Sequence, residues 1–166
     1  ALYVGNLKPE KGVAELARAW PAVAKALPAA ELVVVGGGPL ADDMTAHAGE
    51  RARFTGPLAH DQIPQWLAAC DLLVLPSHSE GTPNVALEAL ASGRRIVATA
   101  VGGTPDVVNS NTLGALVPAK NVDALATALI AELPRPYDPD EVARLGARGG
   151  WAASAKALYE ILLAAC

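Results

Sequence analysis

Cysteine, aromatic side chains and charge are all scarce in this sequence. Cys70 and Cys166 are its only two cysteines, far apart in the chain, so no disulfide framework is expected and a reduced setting fits better. Charged residues make up 18% of the chain and leave a net charge of -4. With no basic run or patch, general nucleic-acid binding is excluded. No apolar run approaches the roughly 18 residues of a membrane span, and no signal peptide is visible. A cytoplasmic protein is expected, with peripheral contact at the inner membrane surface left open for a longer parent. The chain opens at Ala1, without Met and directly in a strand, which reads as an excised domain.

What is abundant is Ala, Leu and Val. At 166 residues and 52% hydrophobic content, the chain is long enough to bury the core of one domain without staples. Apolar, β-branched runs at 2–5, 32–36, 52–55, 72–75, 95–98 and 114–117 alternate with helical stretches at 12–27, 39–48, 60–69, 83–92, 104–109 and 121–132. That alternation predicts an α/β fold, a Rossmann-like open parallel sheet of about six strands with helices on both faces. Pro21 should kink or split the first helix. Residues 133–137 break the pattern, Asp138 or Asp140 then caps a helix near 140–148, and Trp151 to Leu163 reads as a last amphipathic helix. The whole of 1–166 is thus one domain, with 134–166 a C-terminal helical extension.

Two carboxylates stand out against this apolar background. Glu80 and Glu88 lie eight positions apart in Ser77-His78-Ser79-Glu80-Gly81-Thr82-Pro83-Asn84-Val85-Ala86-Leu87-Glu88. Glu80 falls in the loop after a strand, and Glu88 on the helix that the loop opens. Thr82 is expected to cap that helix, Pro83 to take its first position and Gly93 to end it. A helix rises about 1.5 Å per residue, so Glu88 sits roughly 7 Å beyond Pro83. A diphosphate held by the unpaired N–H groups of that helix end would leave an attached ribose level with Glu88. Glu80 would face whatever is joined to the other phosphate. The arrangement suits a nucleotide diphospho-sugar; the bland alternative is two solvated carboxylates on a loop and a helix edge.

This stretch resembles the Glu-x7-Glu motif of group 1 retaining glycosyltransferases. The resemblance extends to Leu2-Tyr3-Val4-Gly5-Asn6-Leu7-Lys8-Pro9-Glu10-Lys11-Gly12, Val33-Val34-Val35-Gly36-Gly37-Gly38-Pro39, Arg53-Phe54-Thr55-Gly56 and Ile96-Val97-Ala98-Thr99-Ala100-Val101-Gly102-Gly103, and so covers residues 1 to about 130. It implies one half of a GT-B architecture, the C-terminal donor-binding domain, with the N-terminal acceptor domain absent from this chain. Lys11 and Glu80 would be the catalytic residues. Gly5, Asn6 and Lys11 would meet the donor from one loop and Glu80, Gly81, Thr82, Pro83, Asn84 and Glu88 from the other. The base would lie against the backbone of Gly56, Pro57 and Leu58. UDP is the nucleotide this implies first, GDP or ADP after it; no cofactor and no metal are expected. The family commonly has Arg where this chain has Asn6, an amide that donates hydrogen bonds but brings no charge. Donor sugar, acceptor and linkage are not disclosed.

Rival readings are weaker on specific grounds. Gly36 to Ala41 spells a dinucleotide fingerprint, but no acidic residue ends the following strand. Ser77, His78 and Glu80 are too close in sequence to form a hydrolytic triad, and no elbow glycine precedes Ser77. His47 and His60 lack a second ligand at metal spacing. Asp138-Pro139-Asp140 has a metal-motif spelling but sits where helix caps do. Gly102 to Asp106 is either another cleft loop or a compact turn. A binding module without catalysis, or a sugar-nucleotide epimerase-type domain, remain as alternative functions.

Overall fold

A computed structural model describes residues 1–147; the expected helix at 151–163 and Cys166 lie outside them. β1 (Leu2–Val4), β2 (Leu32–Val35), β3 (Ala52–Gly56), β4 (Leu72–Leu75), β5 (Arg95–Thr99) and β6 (Gly114–Val117) form one sheet in the order β3-β2-β1-β4-β5-β6. Every pairing is parallel. The sheet is therefore doubly wound, and its strand order reverses between β1 and β4.

The four inner strands, β2, β1, β4 and β5, are largely buried on both sides, yet their side chains still alternate. Tyr3, Val34, Leu72, Val74 and Val97 join one core with α1 (Val13–Ala26), α2 (Ala41–Ala48) and α6 (Val122–Glu132). Leu2, Val35, Leu73, Leu75, Ile96 and Ala98 join the other, with α3 (Ile63–Ala69), α4 (Asn84–Ala91), α5 (Thr104–Val107) and α7 (Pro139–Gly146). Period-two geometry sorts these apolar runs between two helix layers although nothing in their polarity marks a face. Among the described residues no helix is long and apolar enough to cross a membrane.

Three expectations need correction. Pro21 lies on the exposed side of an unbroken α1. The fully buried stripe Leu16, Ala17, Trp20 and Val23 outweighs the one backbone hydrogen bond the proline removes. The segment at 60–69 divides into a 3-10 turn at His60–Gln62 and α3. Thr82 does not cap α4, because the helix begins at Asn84 and extended Pro83 (φ -74, ψ 106) takes the capping position without a side-chain hydrogen bond. The other end of α4 behaves as expected. Gly93 (φ 71) donates to Leu90 O and Arg94 to Ala89 O, the paired bonds of a Schellman stop. Asp138, not Asp140, caps α7 by accepting from the Asp140 N–H at 3.0 Å.

The carboxyl-edge loops are knitted together through glycine. The Gly36–Gly38 turn packs on the loop after β1: Leu7 N–H donates to Gly37 O at 2.9 Å and Leu40 N–H to Leu7 O at 3.0 Å. Gly12, at φ 64, lies so near the loop after β4 that a Cβ there would stand 1.8 Å from Pro76 O. Nearby, His78 N–H donates to Glu10 O at 2.8 Å. This close approach brings residues 11 and 80 within reach of one another. Gly12→Ala should therefore destabilise the fold by about 2–4 kcal/mol in chemical denaturation, combining left-handed strain with a backbone clash. Gly81→Ala, whose methyl meets nothing within 4 Å, should stay within about 0.5 kcal/mol. Equal effects would mean that the packing at residue 12 is dispensable.

Candidate functional site

A cleft of about 330 Å³ opens at the strand-order reversal. Its walls come from the end of β1 and the following loop, from the loop after β4, and from the first turn of α4. Gly5, Asn6, Lys11, Glu80, Thr82, Pro83 and Asn84 of the expected set line it together. Tyr3, Val4, Leu75 and Val85 complete the wall and were not expected. Tyr3 had one legible signal, a polar tip on an otherwise aliphatic strand that runs straight into the loop.

Lys11 Nζ donates to Glu80 Oε1 at 2.8 Å, and Ser77 Oγ donates to the same oxygen at 2.6 Å. The Lys11 side chain is 30% exposed and that of Glu80 10%. Both ionised groups therefore sit at the cleft wall rather than in bulk water. A 3-10 turn at Pro9–Lys11 and the left-handed Gly12 present the lysine. On the other side, Gly102 leaves no room for a Cβ, which would stand 1.7 Å from Glu80 O, and Gly103 N–H donates to Gly81 O at 3.0 Å. The Gly102–Asp106 stretch is thus a loop that buttresses the cleft as well as a turn.

Tyr3 Oη donates to Asn6 O at 2.9 Å and fixes the backbone beside the cleft. Burial pushes the Tyr3 phenol far above its ordinary range, and the nearby Glu80 and Glu10 carboxylates push it further. It stays protonated and is a hydrogen-bond donor throughout the physiological range. Asn6 itself is exposed, so its side chain faces the opening.

At α4 the first intrahelical bonds run from Ala86 and Leu87 N–H to Pro83 O at 3.1 and 3.3 Å. The N–H groups of Asn84 and Val85 precede them, on the cleft wall, where the helix dipole is positive. Glu88 lies four residues on, about 6 Å along the axis. Its side chain is 37% exposed and its Oε1 is 3.9 Å from His60 Nε2, so it points away from the apolar interior. Through His60, Glu88 meets the chain two residues after Leu58, the end of the expected base segment. Neither Glu88, Gly81 nor residues 56–58 line the cleft itself; they lie beyond it.

The other motif residues fall elsewhere. His78 places Nε2 3.2 Å from Glu15 Oε2 and faces α1. Gly36 to Ala41 follow β2, one strand away from the order reversal, and serve as packing for the first loop. His47 pairs with Asp43 on exposed α2, Nδ1 to Oδ1 3.3 Å.

Comparison with known proteins bears on the family and the fold. The family profile for "Glycosyl transferases group 1" matches residues 1–133. A GDP-mannose-dependent alpha-(1-6)-phosphatidylinositol monomannoside mannosyltransferase from Mycobacterium tuberculosis is 34% identical over 158 residues, which is 88% of this chain and 40% of that protein. The chain thus spans about two fifths of that relative's length. Among solved structures, sucrose-phosphate synthase from Thermosynechococcus elongatus superposes with a TM-score of 0.73 at 30% identity, over 99% of this chain and 45% of its own. HepE of Anabaena, solved with UDP and glucose, shares the fold at a TM-score of 0.67 and 23% identity, over 87% of this chain and 46% of its own. These neighbours are GT-B glycosyltransferases, and the six-stranded parallel sheet is the Rossmann-like half of that plan. By the match of its profile over most of the chain, the protein belongs to the group 1 glycosyltransferase family.

Proposed function

We propose that this chain is the donor-binding half of a retaining glycosyltransferase and takes a nucleoside diphosphate sugar, a UDP-sugar in the first instance. One observation carries the reading. Lys11 and the amino end of α4 line the same cleft at the strand-order reversal, the place where open α/β sheets bind ligands. In this reading the pyrophosphate lies between the ammonium and the helix end. Lys11 leaves Glu80 for the phosphate, and its charge stabilises the diphosphate as it departs with the glycosidic electrons. Backbone N–H groups of Gly81, Thr82 and Asn84 assist. Glu88 accepts from the ribose hydroxyls, the base lies along Gly56, Pro57 and Leu58, and Glu80 orients the sugar.

The mannosyltransferase's name carries GDP-mannose and the HepE structure holds UDP and glucose. The common denominator is a nucleoside diphosphate joined to a hexose. We propose no metal and no cofactor for the reaction, since Lys11 and the helix dipole together supply the positive charge. The acceptor belongs to a partner half outside this chain, so the chain alone binds donor without turnover. Its span of about 40% of the mannosyltransferase favours that division. A cytoplasmic setting, with any contact at the inner membrane surface made by the parent enzyme, completes the proposal.

Calorimetric titration of the chain with UDP and with pyrophosphate tests the roles separately. Lys11→Ala should weaken both by about 1.5–3 kcal/mol, the range of a charged hydrogen bond. Glu88→Gln should weaken UDP while sparing pyrophosphate; parent-like UDP binding by Lys11→Ala would show that phosphate recognition lies elsewhere. Asn6→Arg adds a charge at the cleft mouth and should tighten pyrophosphate by on the order of tenfold at low salt, an advantage that shrinks as salt rises. Product analysis with the full-length enzyme separates transfer from epimerisation. Glycosylated acceptor is the expected product, and epimerised sugar nucleotide formed without acceptor would contradict the transferase reading.

A further inference from the structure

We infer that Ser77 is a positioning residue for this reaction, whose buried hydroxyl holds the Glu80 carboxylate against the donor sugar once Lys11 has moved to the phosphate. The inference rests on the donor-site reading above and goes beyond it. Ser77 is fully buried, with 0% exposure. A hydroxyl removed from water is costly unless it is hydrogen-bonded, and this one donates to Glu80 Oε1 at 2.6 Å. That is the short, charge-assisted kind of bond. The serine is itself fixed from behind, because its carbonyl accepts from Thr99 Oγ1 at the end of β5. A line of hydrogen bonds thus runs from the sheet through Ser77 to the carboxylate.

Glu80 Oε1 accepts from two donors, Lys11 and Ser77. The two differ in what happens when a diphosphate arrives. The ammonium sits on a long, partly exposed side chain and can swing to the phosphate. The Ser77 hydroxyl is enclosed and only three residues away along a loop that Gly102 and Gly103 brace, so it stays. Without it the carboxylate would lose its remaining donor on that oxygen just as the sugar enters. Ser77 is not a nucleophile here: it is enclosed, and the adjacent His78 imidazole faces Glu15.

The test compares a nucleoside diphosphate with its sugar conjugate, UDP against UDP-glucose or GDP against GDP-mannose, using whichever pair the parent chain distinguishes. Ser77→Ala should bind the bare nucleotide within about twofold of the parent. The ratio of the two dissociation constants should shift by roughly tenfold against the sugar conjugate, as loss of one charge-assisted bond requires. Ser77→Thr, which keeps the donor, should restore the ratio. Adding Ser77→Ala to Glu80→Ala should change the ratio no further, because both act through one carboxylate. An unchanged ratio, an equal loss for both ligands, or additive effects in the double variant would overturn the assignment. Failure of the donor-site reading would show differently, as absence of nucleotide binding by the parent.

Discussion

The ion pair between Lys11 and Glu80 is the interaction on which the site depends, and it joins residues 69 positions apart in the chain. It exists because β1 and β4 are neighbours in the sheet and because Gly12 lets one loop lie against Pro76 of the other. Neither loop brings the pair together alone. With the lysine 30% exposed, its contribution to stability is modest. Its importance is geometric, since it sets an ammonium and a carboxylate on one wall of a cleft before any ligand arrives.

That arrangement also gives the site a direction. The carboxylate and the hydroxyl behind it are enclosed and anchored to the sheet, whereas the ammonium is held by one end and lies nearer to water. In the proposed donor reading an incoming diphosphate competes with Glu80 for Lys11, and the amino end of α4 adds the second attraction. Asn6 brings no charge to the cleft mouth. In the proposed donor reading, phosphate recognition concentrates on one side chain and one helix end.

Most of the fold was legible in the sequence, for a physical reason. Buried parallel strands such as Leu72–Leu75 and Ile96–Ala98 are continuous apolar runs, and short runs between amphipathic stretches have few alternative folds. What was not legible came from tertiary context. Pro21 stays within α1 because the stripe on the opposite face is buried. Thr82 misses the capping position by one residue, because extended Pro83 occupies it. The candidate site was half legible: Lys11, Glu80 and Glu88 stand out as polar groups in conspicuous settings, and their elements place them near the expected edge. Tyr3 and Ser77 looked like an ordinary strand residue and an unconvincing nucleophile. Their roles arise from contacts with Asn6 and Glu80 that only the folded loops create. Gly12 and Gly102 could be read as turns, but not as points where two backbones touch.

The most direct measurement is a crystal structure of the chain with a UDP-sugar bound. Pyrophosphate density is expected between Lys11 Nζ and the N–H groups of Gly81, Thr82 and Asn84. Ribose hydroxyls are expected on Glu88, and Lys11 released from a Glu80 that still accepts from Ser77. Nucleotide density on the Gly36–Ala41 turn instead, or Lys11 still paired to Glu80 with the phosphates elsewhere, would contradict the donor-site reading.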